Sequence, residues 1–145
     1  MPYDFSVILM KHTVQQGENI RAARIPSDAK NPEAGVWLTG WGVTCGNCGL
    51  SNTLLGIQTR VLTERECDGI WQSSYNSQLQ MCVYNGEGTT CQGDSGGPMS
   101  VGHVVYGVTS WGPAGCSPKW PSVYAKLGAV RRWICEKSEN EVNGC

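Results

Sequence analysis

The stretch CQGDSGGP, residues 91–98, decides how the rest of this 145-residue chain is interpreted. A serine hydroxyl is a weak nucleophile unless a base takes its proton, and the oxyanion that it forms needs N–H donors aimed at it. Glycines on both sides of Ser95 allow a tight turn that presents the hydroxyl and the neighbouring amides together. An ordinary glycine-rich β-turn could have the same sequence. The residues around the loop must therefore distinguish a catalytic serine loop from a plain turn.

Short strands recur on both sides of this loop. Five are predicted between turn signals: Val36–Trp41, Leu54–Leu62, Gln80–Tyr84, Val104–Trp111 and Ser122–Lys126. Strands at this spacing, with no helical stretch predicted between them, favour an all-β fold that closes into an antiparallel barrel over residues 36–127. Apolar residues at helical spacing predict a terminal helix at 128–138, followed by a loose polar tail at 139–145.

The residues before the barrel follow a different pattern. Phe5–Leu9 is apolar on both faces and predicts a strand within residues 1–10, and residues 11–35 form an irregular connector. The start of the chain has neither the basic residues nor the long apolar core of a signal peptide. No run of about eighteen apolar residues occurs anywhere, so no membrane span is predicted.

Composition narrows the function classes. A formal net charge of −1 gives no electrostatic reason to expect nucleic acid or an anionic membrane as a partner. Eight cysteines in so short a chain indicate an oxidising, extracellular compartment. A structural zinc site would need a second close pair besides Cys45 and Cys48, and none follows, so neither a metal nor another cofactor is expected.

The whole chain resembles the C-terminal portion of a chymotrypsin/trypsin-like serine protease. Residues 91–98 match the nucleophile motif of that family at every defining position. Four further segments resemble family segments and occur in the family's order: Tyr3–Leu9, Thr39–Gly42, Thr109–Gly112 and Pro121–Ala125. The resemblance implies the second barrel of a two-barrel fold, preceded by the last strand of the first barrel and followed by a terminal helix.

The resemblance also assigns roles to individual residues. Ser95 would be the nucleophile, and the N–H groups of Gly93 and Ser95 would form the oxyanion hole. Asp4 would be the triad aspartate that orients the catalytic histidine. Asp94 would pair with the N-terminal amine that zymogen cleavage frees.

A substrate-binding set follows from the same resemblance. Its members are Thr89, Thr90, Gln92, Ser110, Trp111, Gly112 and Ser122. Thr89, six residues before the nucleophile, stands at the position that largely sets specificity, and because it is not an aspartate a preference for Lys or Arg is disfavoured. Ser122 replaces a usual glycine and narrows the pocket. The expected P1 residue is neutral, apolar and of medium to large size.

Two disulfides are implied by the family pattern, Cys67–Cys82 and Cys91–Cys116. A further family bridge would join the positions of Val36 and Val101, where packing is expected to replace it. Cys45 and Cys48 could close a small loop beside the predicted active site. Cys135 or Cys145 could form a bridge to the missing half of the two-barrel fold. The sequence by itself leaves their connectivity open.

The catalytic histidine of the family has no counterpart in this chain. His12 falls in the connector and His103 on a hairpin turn, and neither stands in a matching motif. The lone chain is therefore expected to be nearly inactive, as a truncated sequence or as one chain of a two-chain enzyme whose partner carries the histidine. The main alternative is a non-catalytic homologue that binds proteins, and a small disulfide-stapled structural domain is the third. Protein or peptide substrates and secretion are expected by resemblance.

Overall fold

A computed structural model describes residues 3–45, 48–139 and 141–145. Its strands are β1 Val36–Gly40, β2 Leu55–Val61, β3 Gln80–Tyr84, β4 Pro98–Val101, β5 Val104–Trp111 and β6 Ser122–Lys126. They form a closed antiparallel barrel in the order β1-β2-β3-β6-β5-β4. The predicted all-β barrel is confirmed. The short strand β4 closes it by pairing with β1 on one side and β5 on the other.

The barrel closes around an apolar core contributed by most of its strands. The fully buried members include Val36, Met81, Met99 and Tyr124. Val101 packs against the same cluster as Val36, so packing occupies the place of the missing family bridge, as expected. Since strand side chains alternate between the two faces, the core residues recur at every second position along β1 and β3.

A helix, α1 Glu64–Trp71, lies between β2 and β3, so the expectation of no helix between the strands is wrong. Its start is a capping box: the Glu66 N–H donates to Thr63 Oγ1 (3.3 Å), and the Thr63 N–H donates to Glu66 Oε2 (2.7 Å). The Thr63 N–H holds the pKa of Glu66 below its usual value. The Thr-x-x-Glu signature was readable in the sequence. The Cys67–Cys82 disulfide ties α1 to β3.

The C-terminal helix is confirmed as a 3₁₀ turn, Leu127–Val130, that leads into α2 Arg131–Lys137. The tail is not loose, which corrects the prediction. Cys145 is bonded to Cys135, and the Arg131 guanidinium donates to the Gly144 carbonyl at 2.6 Å. Cys135 and Cys145 therefore pair with each other rather than with another half of the protein. Within the described residues, no helix has the length and apolar character needed to cross a membrane.

The N-terminal segment, residues 3–23, contains neither strand nor helix. A strand is defined by backbone hydrogen bonds to a neighbouring strand, and among the described residues none joins residues 3–10 to another strand, so the first-barrel strand within 1–10 stays a prediction. Arg24 is the first residue held to the barrel by backbone bonds, since its N–H donates to the His103 carbonyl and its carbonyl accepts from Val105.

Candidate active site

Residues 91–97, here called the nucleophile loop after the predicted role of Ser95, lie between β3 and β4 and are held by backbone bonds to β5. The Gly96 N–H donates to the Thr109 carbonyl (2.9 Å), and the Thr109 N–H donates to the Gly97 carbonyl (2.9 Å). Gly93 and Gly96 have φ values of 95° and 77°, a left-handed region that glycine enters without strain. This backbone leaves Ser95 exposed at the tip of the loop. The Cys91–Cys116 disulfide anchors the start of the loop.

Asp94 points inward, away from Ser95. Its Oδ1 accepts from the Gly42 N–H (2.8 Å) and its Oδ2 from the Cys91 N–H (3.0 Å). A Cβ atom at Gly40 or Gly42 would collide with this carboxylate, which explains the glycines of the 39–42 segment. The carboxylate therefore joins the nucleophile loop to the end of β1.

Asp4 reaches the same region from the other end of the chain. Its Oδ2 accepts a hydrogen bond from Ser110 Oγ on β5 at 2.7 Å. Asp4 and Ser95 both line one cleft of about 590 Å³, together with Thr109 and the apolar residues Phe5 and Trp133. The structure thus brings the two predicted triad members to a shared cavity.

Neither histidine lies at this cleft. His12 is exposed in the N-terminal segment, and His103 is exposed in the turn between β4 and β5. Among the described residues that line the cleft, none carries an imidazole. Asp4 and Ser95 are therefore present without a base between them.

The predicted specificity residues converge beside the loop. Thr89 Oγ1 and Ser122 Oγ are hydrogen-bonded to each other, which joins the predicted base of the pocket to its wall. A Cβ atom at Gly112 would lie 3.4 Å from Ser122 Oγ, so these two residues face each other closely. The Tyr124 hydroxyl donates to Thr90 Oγ1 at 3.3 Å, and burial raises the pKa of Tyr124 to about 12. These hydroxyl groups are neutral at ordinary pH, whereas Glu87 and Asp94 line the same pocket as Thr89 and Thr90.

The remaining predicted contacts lie nearer the surface. Gln92 is exposed, and Trp111 is partly buried at the end of β5. Two further tryptophans pack behind Trp111 and were not predicted. The Trp111 ring lies 5.0 Å from that of Trp71, edge to face, and the Trp71 ring lies 6.4 Å from that of Trp120. No local pattern joins these residues, because α1 and the segment before β6 meet only in the folded chain.

Comparison with known proteins places this arrangement in a known family. The family model for trypsin matches residues 1–134. Trypsin theta from Drosophila melanogaster is 32% identical over 143 residues, which cover 96% of this chain and 55% of that protein. The fibrinolytic enzyme, isozyme C, from Lumbricus rubellus is 33% identical over 149 residues, covering 93% of this chain and 62% of that protein.

A solved structure agrees with the same family. Neuropsin, a serine protease expressed in the limbic system of mouse brain, superposes with a TM-score of 0.81 at 25% identity. The match covers 88% of this chain and 58% of neuropsin, so the chain spans little more than half the length of these relatives. Because the family model covers nearly all of its residues, the chain belongs to the trypsin family of chymotrypsin/trypsin-like serine proteases.

Proposed function

We propose that this chain is the nucleophile-bearing part of a secreted serine endopeptidase that cleaves peptide bonds through an acyl intermediate on Ser95. The observation that carries the proposal is the shared cleft, which Asp4 and Ser95 both line although they lie far apart in the sequence. The four disulfides fit an oxidising compartment and support secretion.

Each group at the site has a proposed task. A histidine seated in the cleft would donate one ring N–H to Asp4 and take the Ser95 proton with its other nitrogen. The Ser110 hydroxyl keeps the Asp4 carboxylate oriented toward that histidine. The N–H groups of Gly93 and Ser95 would donate hydrogen bonds to the oxyanion. In many acyl-transfer enzymes this stabilisation of the transition state is the largest single contribution to the rate.

We infer that the histidine comes from outside the described residues, either from a first barrel or from a partner chain. The apolar cleft wall formed by Phe5 and Trp133 supports this inference, because it offers a surface against which such a unit would pack. Without the histidine, catalysis falls by roughly 10⁴–10⁶. The 145-residue chain by itself is expected to be nearly inert toward peptide substrates.

Asp94 is proposed as the residue that receives a freed N-terminal amine. A pocket of about 430 Å³ is lined by Asp94 and by aliphatic side chains such as Leu38 and Ile57, together with polar residues that include Glu87, Thr89 and Thr90. A carboxylate among aliphatic walls suits an ammonium group attached to a small apolar residue. Zymogen cleavage elsewhere in the protein would create such a terminus.

The substrate preference is proposed to be a neutral P1 side chain. Thr89 and Ser122 present neutral hydroxyl groups that bond to each other, and Thr89 stands at the position where an aspartate would receive Lys or Arg. Their contact also takes up space there. The structure therefore supports an apolar residue of medium size over the largest side chains.

A second candidate is a non-catalytic homologue that binds proteins through the same cleft. The observation that favours it is the lack of an imidazole among the described cleft residues. Ser95 in an intact loop favours the enzyme instead, because a binding module does not need that hydroxyl.

Labelling by a fluorophosphonate probe separates the two candidates. The 145-residue chain is expected to react slowly in buffer, and added imidazole should increase the rate by entering the cleft as a small-molecule base. Ser95→Ala is expected to abolish the reaction, and Asp4→Asn should remove most of the increase. A folded chain, verified by near-ultraviolet circular dichroism, that shows no Ser95-dependent labelling at any imidazole concentration would contradict the enzyme proposal.

A further inference from the structure

A short disulfide-closed loop lies directly on the nucleophile loop. Its described residues are Val43–Cys45 and Cys48–Leu50, here called the disulfide loop. Val43 and Leu50 face each other in an antiparallel bridge, and the Cys45–Cys48 disulfide closes the tip. Both cysteines are exposed. The family resemblance provides no counterpart for this pair.

The disulfide loop and the residue before it contact three consecutive positions of the nucleophile loop. The Val43 N–H donates to the Gln92 carbonyl at 2.9 Å. A Cβ atom at Gly93 would lie 2.5 Å from Leu50 Cδ2, so the leucine methyl group presses against the Gly93 backbone. The Gly42 N–H donates to Asp94 at 2.8 Å.

The Val43 hydrogen bond determines where the Gly93 N–H points. The carbonyl of Gln92 and the N–H of Gly93 belong to one peptide group, which is planar and trans, so the two bonds point in opposite directions. When the Val43 N–H holds the carbonyl, the Gly93 N–H must face the opposite side. Gly93 is free to adopt other φ values, and this peptide could otherwise rotate without steric cost.

We propose that the disulfide loop positions the oxyanion hole and makes it redox-sensitive, an inference that rests on the proposed function of Ser95. Val43 and Leu50 are positioning residues that keep the Gly93 N–H aimed at the oxyanion. The Cys45–Cys48 disulfide holds Val43 and Leu50 in register. Breaking it releases the Gln92–Gly93 peptide and lowers the reactivity of the site without unfolding the barrel.

Reduction of this disulfide is a balanced exchange with a small dithiol. One thiolate attacks a sulfur of Cys45–Cys48 and forms a mixed disulfide, and the second thiolate of the reagent then displaces the protein sulfur. Two electrons pass from the dithiol, which leaves as a cyclic disulfide, and Cys45 and Cys48 take up its two protons as thiols. Exposure favours this bond over Cys67–Cys82, whose sulfur-bearing residues are fully buried.

The test compares two matched double variants of the 145-residue chain in the presence of imidazole. Cys45→Ser/Cys48→Ser removes the disulfide that closes the loop. Cys135→Ser/Cys145→Ser, the matched control, removes a disulfide at the end of α2. Losing an oxyanion donor costs about 10²–10³ in rate, so misdirecting it should lower Ser95 labelling by at least about tenfold in the first variant only. Mild dithiol treatment should reproduce the loss, and reoxidation should restore the rate.

A structural readout keeps the result independent of Ser95 chemistry. The Val43 amide is expected to exchange hydrogen faster in Cys45→Ser/Cys48→Ser, because its bond to the Gln92 carbonyl is lost, while amides of β3 keep their protection. Val43→Pro, which removes the donor and keeps the disulfide, should lower labelling to a similar extent. Wild-type labelling in either variant, or unchanged Val43 exchange in Cys45→Ser/Cys48→Ser, would overturn the proposal. If even the unmodified chain is never labelled, the proposed role of Ser95 as nucleophile is wrong. The hydrogen-exchange rates then decide whether the disulfide loop positions the Gln92–Gly93 peptide.

Discussion

The barrel and the N-terminal segment bury their apolar residues to opposite extents. Met81 and Met99 in the barrel are completely buried, whereas Ile8 and Leu9 in the segment are 81% and 90% exposed. Since burial of apolar surface is the main favourable contribution to folding, the barrel carries the stability of the chain and most of the segment contributes little.

The proposed site nevertheless uses both regions. Ser95 comes from the barrel, and Asp4 comes from the segment. The segment is attached near Asp4 by the bond to Ser110 and by Phe5, which packs against the cluster of Leu127, Val130 and Ile134. Stability and the proposed function therefore depend on different parts of the chain, and substitutions should separate them.

The largest difference is expected between two apolar substitutions. Met81→Ala should lower the free energy of unfolding by about 2–5 kcal/mol, because it leaves a cavity in the barrel core. Leu9→Ala should change it by less than about 0.5 kcal/mol, because the side chain is already in water. Urea denaturation monitored by tryptophan fluorescence measures both. Equal losses would mean that the segment belongs to the cooperative core.

A smaller effect is expected where the two regions join. Ser110→Ala removes the donor to Asp4 and leaves the barrel packing intact. A hydrogen bond to a charged group contributes about 1.5–3 kcal/mol, so imidazole-dependent labelling of Ser95 should fall by roughly tenfold or more. Ser73→Ala, in an exposed turn away from the cleft, is the matched control. If Ser110→Ala labels at the wild-type rate, Asp4 is not oriented through Ser110.

The smallest effect is expected for Tyr124 inside the barrel, as a change in the free energy of unfolding at alkaline pH. Burial raises the pKa of Tyr124 from 10.0 to about 12, so the folded state keeps this proton after the unfolded state has lost it. The stabilisation of the folded state that comes from the raised pKa of Tyr124 is complete below pH 10. It is lost as the pH rises toward 12, so the free energy of unfolding falls by at most about 1.4 kcal/mol per pH unit. Burial also raises the pKa of Tyr75 and lowers that of Lys126.

Tyr124→Phe isolates the contribution of Tyr124 from those of Tyr75 and Lys126. Its free energy of unfolding should fall less steeply than that of the wild-type chain between pH 10 and 11. Urea denaturation at a series of pH values provides the comparison. Parallel curves for the two proteins would show that Tyr124 does not contribute to the alkaline loss.

Local patterns in the sequence were sufficient for the barrel and for the nucleophile loop. The period-2 strands and the glycines around Ser95 reflect constraints between residues that are close in the chain, so they can be recognised without the fold. The capping box of Thr63 and Glu66 is equally local, and α1 could have been predicted from it. The family resemblance supplied the roles of Asp4 and Asp94.

The tertiary structure alone decided the contacts between distant residues. The Ser110–Asp4 bond spans 106 positions, and the Cys135–Cys145 pairing and the Val43–Gln92 bond each depend on how loops pass over the closed barrel. Closure brings together strand ends that are far apart in sequence, and the resulting distances follow from strand order and register. By itself, therefore, the sequence determined which chemical groups the protein carries, and the closed barrel determined which of them meet.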